Sequence, residues 1–484
     1  MDIQKSKKLL LMAAAFFWLL AILIYIVAYP QFRYSVVTSD ALSASTITGE
    51  LVDGGEIRQR VVIPAGRISS ISLMAGTYER TNTGEIHIRL EDAEGRTVME
   101  SSKSAADFVD LQYAQFEFAE PQDNHKGEAM TLVVSAEGCS SGNALTLYTG
   151  YSVSTGRFSV EAAIPEEDRC LINGVPGQGM LCVRMEGVDE IQFYKTYWLI
   201  VAGAFAVIAL LCAWWWKRAM QGQNNPLVMV CTLLTKYSLL LKQLVSREFK
   251  AKYKRSMLGV AWSFLNPLLT MAVQYIVFST LFRSDVENYP LYLLTGIVLM
   301  NFFTESVSLG MTSITSNAAL IKKVYMPKYI YPITRVIASS INFLLSLIPL
   351  LLVMVVTQAH FRPSLLLLVF DILCLQGFVM GMCLLLATAM TFFQDTQFLW
   401  SVISMLWFYL TPVFYPESII SQPLRFWFRL NPMYQYITFA RTCIIGGVSP
   451  EPMAYLWCMM LSLVVLSLGM MAFKKNQDKF VLYI

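Results

Sequence analysis

Hydrophobic and polar residues are distributed along this chain in two different patterns. Eight apolar stretches have about the length that crosses a bilayer. Between the first two stretches the pattern changes to period two, as in 86–91, where apolar residues alternate with polar or charged ones. The eight stretches are Leu9–Tyr29, Tyr197–Trp216, Leu258–Phe282, Pro290–Met311, Pro332–Val356, Ser364–Phe392, Gln397–Tyr415 and Met453–Phe473.

This division predicts an α-helical polytopic membrane protein with about eight spans, two followed by six. An extracytoplasmic β-sandwich or jelly-roll domain lies between the first two spans, because many short alternating strands are separated by turns such as 92–95. The predicted regions are an N-terminal membrane anchor (1–30), the β domain (31–192), a return transmembrane helix (193–218), a cytoplasmic linker with an amphipathic interface helix (219–257) and a six-span domain (258–484). Further predicted strands are Ile68–Met74, Gln115–Ala119, Met130–Ser135 and Leu145–Val153.

Charge follows the same division. Gln31–Glu190 holds 12 Lys and Arg against 24 Asp and Glu, whereas the rest of the chain holds 25 basic and 10 acidic residues. A basic, apolar remainder suits a membrane with anionic headgroups, and no basic-aromatic pattern points to nucleic acid. Lys and Arg concentrate in the segments that would lie in the cytoplasm, so we expect both termini there and the β domain outside.

The titratable residues favour no enzyme. Three isolated histidines form no metal site or catalytic triad, and no G-x-x-x-x-G-K-[ST] phosphate loop occurs. Cys170 and Cys182 enclose a loop rich in glycine and proline. A location outside the cytoplasm would permit a disulfide between them, and the alternative is two free thiols.

Two hydrophilic stretches of the second half could bind partners. The amphipathic helix before the third span carries cations that would bind lipid phosphates, including a lipid diphosphate, or simply anchor the helix. These cations are Arg247, Lys250, Lys252, Lys254 and Arg255. The loop 317–331 combines a short helix with two lysines, and either docks into a partner or is a solvated turn. Its candidate docking residues are Leu320, Ile321, Lys322, Lys323, Val324, Tyr325, Met326 and Pro327.

Aromatic side chains recur through the last six spans and in the stretch Tyr415–Arg441. That stretch is too polar for a simple span, so we expect interfacial or re-entrant half-helices. Its aromatic residues, with those of the spans, are either channel and gate residues or ordinary core and lipid-facing ones. The candidates are Tyr275, Phe302, Phe303, Trp407, Tyr409, Phe414, Tyr415, Tyr434 and Tyr436.

Residues 231–484 resemble the permease subunit of type-2 polysaccharide-exporting ABC transporters, which export O-antigen, capsule and teichoic acid. The matching stretches are SREFKAKYKRSMLGVAWSFLNPLLTMAVQYIVFSTLF (246–282), NAALIKKVYMPKYIYPI (317–333), FFQDTQFLW (392–400), LTPVFYPES (410–418), LNPMYQYITFAR (430–441) and KFVLYI (479–484).

The resemblance implies a homodimeric channel in the bacterial cytoplasmic membrane. It also implies two copies of a separate ATPase subunit, which would carry ATP and Mg, so no cofactor is expected on this chain. The loop 317–331 would include the coupling helix. The substrate would be a glycan on an undecaprenyl-diphosphate-type lipid.

The β domain departs from the simplest members of that family and is weakly similar to jelly-roll glycan-binding modules. Tyr78, Tyr113, Tyr148 and Tyr151 are its candidate sugar-stacking residues, with core packing as the alternative. Two other functions stay open. One is a non-transporting scaffold for polysaccharide assembly or chain length, and the other is an exporter of a small lipid or drug.

Overall fold

A computed structural model describes residues 3–39, 44–118, 125–150, 168–221, 226–254, 256–282, 288–323, 326–417, 420 and 422–483. The chain divides into two compact units. One is Arg33–Gln192, and the other comprises the residues before it together with those after it.

The unit Arg33–Gln192 consists of β-strands. They are β1 (Tyr34–Thr38), β2 (Thr46–Glu50), β3 (Glu56–Val62), β4 (Arg67–Gly76), β5 (Glu85–Glu91), β6 (Thr97–Ser104), β7 (Gln112–Glu117), β8 (Ala129–Glu137), β9 (Thr146–Gly150), β10 (Leu171–Ile172), β11 (Val175–Pro176), β12 (Met180–Leu181) and β13 (Val183–Glu190). All pair antiparallel, in two sheets. The first has the order β1-β13-β4-β9-β12, with β2 on β9 and β7 on β4; the second has the order β11-β10-β3-β8-β5-β6.

One hydrophobic core joins the two sheets. Ile71 of β4 and Phe116 of β7 meet Ile88 of β5 and Leu132 of β8 in a single buried cluster. The chain passes from one sheet to the other repeatedly, as in β3 to β4 to β5, which is the connectivity of sandwich domains. The two sheets and their shared core confirm the predicted β-sandwich. The sequence pattern could predict it because period-two alternation places every second side chain of a strand in the core.

The other unit consists of helices. They are α1 (Ile3–Arg33), α2 (Phe193–Met220), α3 (Pro226–Thr235), α4 (Ser238–Tyr253), α5 (Trp262–Phe282), α6 (Tyr289–Met311), α7 (Ala318–Lys323), α8 (Ile330–Val356), α9 (Leu368–Phe392), α10 (Thr396–Tyr409), α11 (Gln422–Arg429), α12 (Pro432–Ile444), α13 (Pro452–Asn476) and α14 (Phe480–Tyr483). Within the described ranges, seven are long and apolar enough to cross a membrane: α1, α2, α5, α6, α8, α9 and α13. Seven of the eight predicted spans are confirmed in this sense.

The eighth predicted span, Gln397–Tyr415, is shorter as a helix than predicted. Its helix α10 has 14 residues and ends at Tyr409, so it is about 21 Å long against a hydrocarbon core of about 30 Å. Pro412 follows three residues later, and a proline cannot donate the backbone hydrogen bond that would continue the helix. Within the described residues the candidate spans therefore number seven, or eight if the bent pair α3 and α4 is one span, and the predicted count of about eight stays a prediction.

The packing of α9 against α13 shows which way the chain travels between them. The Phe370 and Tyr455 rings are 5.2 Å apart, and further along both helices Gly381 touches the backbone of Val465. The two helices therefore run in the same direction. The chain between them must return to the end at which α9 began, so α10 and the residues after it make that return.

Candidate functional site

The segment from α10 onwards runs beside α6 in the opposite direction. Trp400 Nε1 donates a hydrogen bond to Ser308 Oγ near the end of α6 (3.0 Å). The Tyr289 hydroxyl, at the start of α6, donates to the Phe414 carbonyl (2.7 Å). Residues 396–414 thus pass along nearly all of α6, but the last five are not helical. The return path between α9 and α13 is a broken span.

A buried arginine binds the non-helical backbone of this broken span. Arg441 of α12 is 8% exposed and donates to the carbonyls of Pro412 (2.6 Å) and Val413 (2.8 Å). It also donates to the Tyr292 carbonyl of α6 (3.0 Å), and its guanidinium carbon lies 3.3 Å from the centroid of the Tyr292 ring. We call Arg441 and these three partners the arginine clamp.

The chemistry of the clamp follows from the broken backbone. Carbonyls released from a helix inside an apolar environment must find donors, because no water is present to satisfy them. The planar guanidinium supplies several donors in a fixed geometry, which a lysine does not. Gly296 leaves room for it, since a methyl group there would lie 2.8 Å from Arg441 Nη2. The clamp therefore fixes the broken span against α6 and α12.

Asn431 makes a second polar connection to the same segment. Its Oδ1 accepts from Trp407 Nε1 of α10 (2.7 Å) and from the Met433 backbone N–H (3.0 Å), which caps α12. Its Nδ2 donates to Thr411 Oγ1 (2.8 Å). The stretch contains two short helices, α11 and α12, whose interfacial or re-entrant position stays a prediction. Asn431 ties the start of α12 to the end of α10.

An open apolar cleft lies next to Asn431, between α10, α11 and α12. Its volume is about 480 Å³. Aromatic and aliphatic walls with a single amide are the lining common to sites for largely apolar ligands. The lining residues are Ile403, Leu406, Trp407, Leu410, Trp427, Phe428, Leu430, Asn431 and Pro432.

The amphipathic helix α4 is attached to the helical bundle by its apolar stripe. It follows α3 after a 75° bend. Leu244, buried on α4, packs with Ile330 and Ile333 at the start of α8. The Tyr253 hydroxyl at its end donates to Asn342 Oδ1 of α8 (2.8 Å). Because both ends of the stripe contact α8, the two helices form one packed pair.

Ion pairs reinforce this attachment. They also separate the predicted phosphate-binding cations into those that pair with a carboxylate and those that are exposed. Glu248 pairs with Arg335 of α8 and with Arg247 (2.9 Å). Lys252 pairs with Glu305 of α6 (2.5 Å). Arg247 and Lys252 thus already have acidic partners. Lys250 and Lys254 are exposed, and Arg255 lies outside the described residues.

We expect the Arg335→Ala variant to be less stable than the Arg247→Ala variant, although both arginines share Glu248. The Arg335 side chain is 23% exposed and that of Arg247 is 53% exposed. Loss of the more buried partner should cost about 1–2 kcal/mol, and loss of the exposed one less than about 0.5 kcal/mol. Thermal unfolding of the purified chain in detergent measures both. Equal effects would contradict this account of the α4 attachment.

The predicted docking loop has an apolar inner side and a charged outer side. Ile321 of α7 is buried with Phe473 of α13 and Phe480 of α14, and Leu320 packs against the same cluster. Lys322 and Lys323 are exposed. Partly buried Met326 bridges two hydrophobic clusters, and Pro327 is half-buried, whereas Val324 and Tyr325 lie outside the described residues. The loop is thus anchored to the ends of the long helices and presents its lysines outward.

Comparison with known proteins identifies the second half of the chain. The family pattern described as "ABC-2 type transporter" matches residues 239–445. The O-antigen export system permease protein RfbA of Myxococcus xanthus is 31% identical over 251 residues, which are 51% of this chain and 96% of that relative. A Klebsiella pneumoniae protein of the same name is 30% identical over 225 residues, 45% of this chain and 86% of the relative.

The chain belongs to the family of ABC-2 type permeases of polysaccharide exporters. The matched region of the permease contains α4, the docking loop and the arginine clamp. The unit Arg33–Gln192 precedes the matched residues, so it is an addition relative to this pattern. The family supports a multi-pass membrane protein that works with an ATPase subunit.

The permease places the candidate gate aromatics in several environments. Phe302, Phe303, Tyr434 and Tyr436 are at most 5% exposed in the single chain. Their role in a channel stays a prediction. Tyr275, Trp407, Phe414 and Tyr415 are partly buried, and only Tyr409 of the nine, all of them described, is exposed. Phe303 of α6 packs edge to face against Trp407 of α10, with ring centroids 5.1 Å apart, so aromatic rings fill the space between the two helices.

The two candidate disulfide cysteines are free buried thiols in the structure, which differs from the bonded alternative. Cys170 belongs to the core between the sheets, together with Leu181. Cys182 follows Leu181 directly and therefore points to the opposite face of its sheet. Burial raises the pKa of the Cys182 thiol to about 11, so it is protonated and unreactive near neutral pH.

Arg441, Tyr292 and Asn431 were not among the candidate site residues drawn from the sequence. A signal was available, since an arginine within an aromatic, apolar stretch of a membrane protein usually has a specific partner. The partners themselves, backbone carbonyls of a broken span, could not be read from the sequence. Pro412 alone indicated where that backbone would be released.

Proposed function

We propose that this permease is the membrane subunit of an ATP-driven exporter that moves a polysaccharide on an undecaprenyl-diphosphate-type lipid across the cytoplasmic membrane. The observation that carries the proposal is the match to O-antigen export permeases over nearly their whole length. In this proposal two copies form the channel, two ATPase subunits supply the energy, and both termini lie in the cytoplasm. The β domain then lies on the extracytoplasmic side.

The features of the helical unit support a sequence of steps. The exposed Lys250 and Lys254 on α4 offer positive charge to a lipid diphosphate at the membrane surface. Motion of the ATPase reaches the docking loop, whose inner side packs on α13 and α14. Because α4 is bonded to α6 and α8, movement of the bundle is transmitted to the surface helix. The broken span supplies the irregular backbone that transporters keep only where it is enclosed or lines a path.

The exposed lysines of α7 provide a test of the docking loop. We expect the double variant Lys322→Glu, Lys323→Glu to fold normally and to lose most of its binding to the ATPase subunit, at least tenfold, because both side chains are exposed and reversal of charge at a contact is repulsive. Pull-down of the ATPase measures the effect. The matched control is Lys474→Glu, Lys475→Glu at the end of α13. Full ATPase binding by the Lys322/Lys323 variant would exclude this surface from docking.

The proposal as a whole is tested by co-purification with an ABC ATPase from the same cells, followed by mass spectrometry of bound lipids. A polyprenyl-diphosphate glycan in the complex is the expected result. ATPase binding with ordinary phospholipid alone would redirect the substrate to a small lipid. A chain that binds no ATPase would instead favour the scaffold function.

A further inference from the structure

Three of the four candidate tyrosines lie on one face of the β unit, and the fourth, Tyr151, lies outside the described residues. Leu73 and Ala75 of β4 point into the core, so Met74 and Gly76 point to the outer face of the same sheet. Tyr113 of β7 pairs directly opposite Met74. The Tyr148 ring of β9 lies over Gly76, where an added methyl group would come within 3.2 Å of it. Tyr113 and Tyr148 therefore flank β4 on its outer face.

Tyr78 joins them from the loop that follows β4. Its side chain is 45% exposed. Tyr78 and Glu79 have φ values of 55° and 56°, and Leu111 in the neighbouring loop has 57°. Left-handed backbone in non-glycine residues costs of order 1–3 kcal/mol each and concentrates at binding sites. Three of the six such residues in the described ranges lie at this one edge of the sheet. The surrounding structure therefore holds these two loops in backbone conformations that their residues disfavour.

Polar groups fix this geometry and border the rings. Asp110 Oδ1 accepts the Thr77 backbone N–H (2.7 Å). Burial, with the Asp110 carboxylate and Tyr78 nearby, raises the pKa of the Tyr148 phenol. The Arg80 guanidinium lies 5.0 Å from the Tyr78 ring centroid and pairs with Glu50. A carboxylate, a guanidinium and aromatic rings thus lie side by side in rigid positions.

We propose that this tyrosine face, formed by Tyr78, Tyr113 and Tyr148 with Asp110 at its edge, binds an uncharged polysaccharide chain. The inference rests on the proposed function, because it takes the transported glycan as the ligand. Flat aromatic rings with an apolar body and a polar tip suit the apolar faces and hydroxyl rims of pyranose rings. A carboxylate at the edge accepts hydrogen bonds from sugar hydroxyls.

The charge of the β domain decides between glycan classes. Gln31–Glu190 has twice as many acidic as basic residues, so its field repels polyanions and anionic membrane surfaces. An uncharged chain meets no such repulsion. The face also extends across neighbouring strands, which suits a repetitive, extended ligand more than a single small molecule.

The test uses the full chain with its ATPase subunit in nanodiscs, and polysaccharide released by mild acid from the surface glycan of the cells that produce it, provided that glycan is uncharged. Binding to this immobilised polysaccharide is measured for the wild type and for Tyr148→Ala, Tyr148→Phe and Tyr78→Ala. We expect each alanine variant to bind roughly tenfold more weakly, the equivalent of one lost stacking contact. Tyr148→Phe keeps the ring, so its affinity for the polysaccharide should fall less than about threefold.

The control is Val62→Ala, an exposed apolar residue (62%) on β3 of the other sheet, which should bind as wild type. Polygalacturonate serves as the polyanionic probe and should bind more weakly than the uncharged polysaccharide. Unchanged binding in Tyr78→Ala, which alters only an exposed side chain, together with unchanged Tyr148→Ala, would overturn the inference. So would a wild type that binds no polysaccharide or binds polygalacturonate equally.

Transport measured on the same preparations separates the two proposals. If the wild type exports glycan and the tyrosine variants bind it normally, the tyrosine face is not the binding site and the exporter function stands. A wild type that binds the polysaccharide but transports no glycan means that the exporter function is wrong.

Discussion

Replacement of Arg441 by methionine is expected to abolish glycan export. Methionine keeps much of the length of the side chain but donates no hydrogen bond. The Pro412 and Val413 carbonyls would then lose their donor in a buried place, and the Tyr292 carbonyl would lose the bond that joins α6 to α12. Each unsatisfied buried group costs about 1–3 kcal/mol, so the loss strongly disfavours the present position of the non-helical segment. The broken span should separate from α6.

Immunoblots of surface polysaccharide, with the amount of membrane-inserted chain measured in parallel, check this result. The matched control is Arg429→Met on α11, where the arginine is exposed; it should export as wild type. Arg441→Lys restores a cation with a different donor geometry and should recover only part of the activity. Normal export by an Arg441→Met chain present at wild-type amounts would show that the clamp does not position the broken span.

Replacement of Gly381 by valine should prevent stable folding of the permease unit. Gly377 and Gly381 form a G-x-x-x-G pair on α9, facing Ser462 and Gly469 of α13. Small residues of this kind let membrane helices approach closely. A single methyl group at Gly381 would already lie 2.5 Å from the backbone of Val465 and Leu466. Neither backbone can rotate away, so the helices must separate.

The expected loss is about 3 kcal/mol or more, at the upper end of what overpacking costs. Fluorescence-detected size exclusion and thermal unfolding of the solubilised chain measure it, and most of the protein should aggregate. Gly203→Val on α2 is the control, because nothing lies within 4 Å of an added methyl group there. A Gly381→Val chain that melts like the Gly203→Val chain would contradict the close parallel packing of α9 and α13.

The β domain could be predicted in outline because its signal is local. Alternation along β4 and β5 identifies their core faces, and Gly95 with φ 78° closes the predicted turn at 92–95. Asp92 Oδ1 accepts the Arg96 backbone N–H there (2.8 Å), which lowers the pKa of Asp92. The strand order and the absence of a bond between Cys170 and Cys182 could not be predicted. Both depend on which strands pair, and the paired strands are far apart in the sequence.

The helical unit was predictable in its long apolar helices and less so in its site. Hydrophobicity alone does not separate residues that face lipid from residues that face other helices, so the burial of Phe302 and Phe303 in the single chain could not be predicted. The end of α10 depended on Pro412, and the clamp depended on which carbonyls of α6 and of the non-helical segment lie near Arg441. Arg441 stood out only as a cation in an aromatic stretch.

The measurement that tests the central claim most directly is transport in proteoliposomes containing this chain and its ATPase subunit. A polyprenyl-diphosphate glycan is placed in the leaflet that faces the ATPase, and its appearance in the opposite leaflet is followed with a membrane-impermeant glycan-modifying enzyme. The account predicts transfer that requires ATP and both subunits, and that is lost in the Arg441→Met chain. Equal transfer without ATP, or ATP hydrolysis with no transfer of the glycan lipid, would contradict the assignment as a polysaccharide export permease.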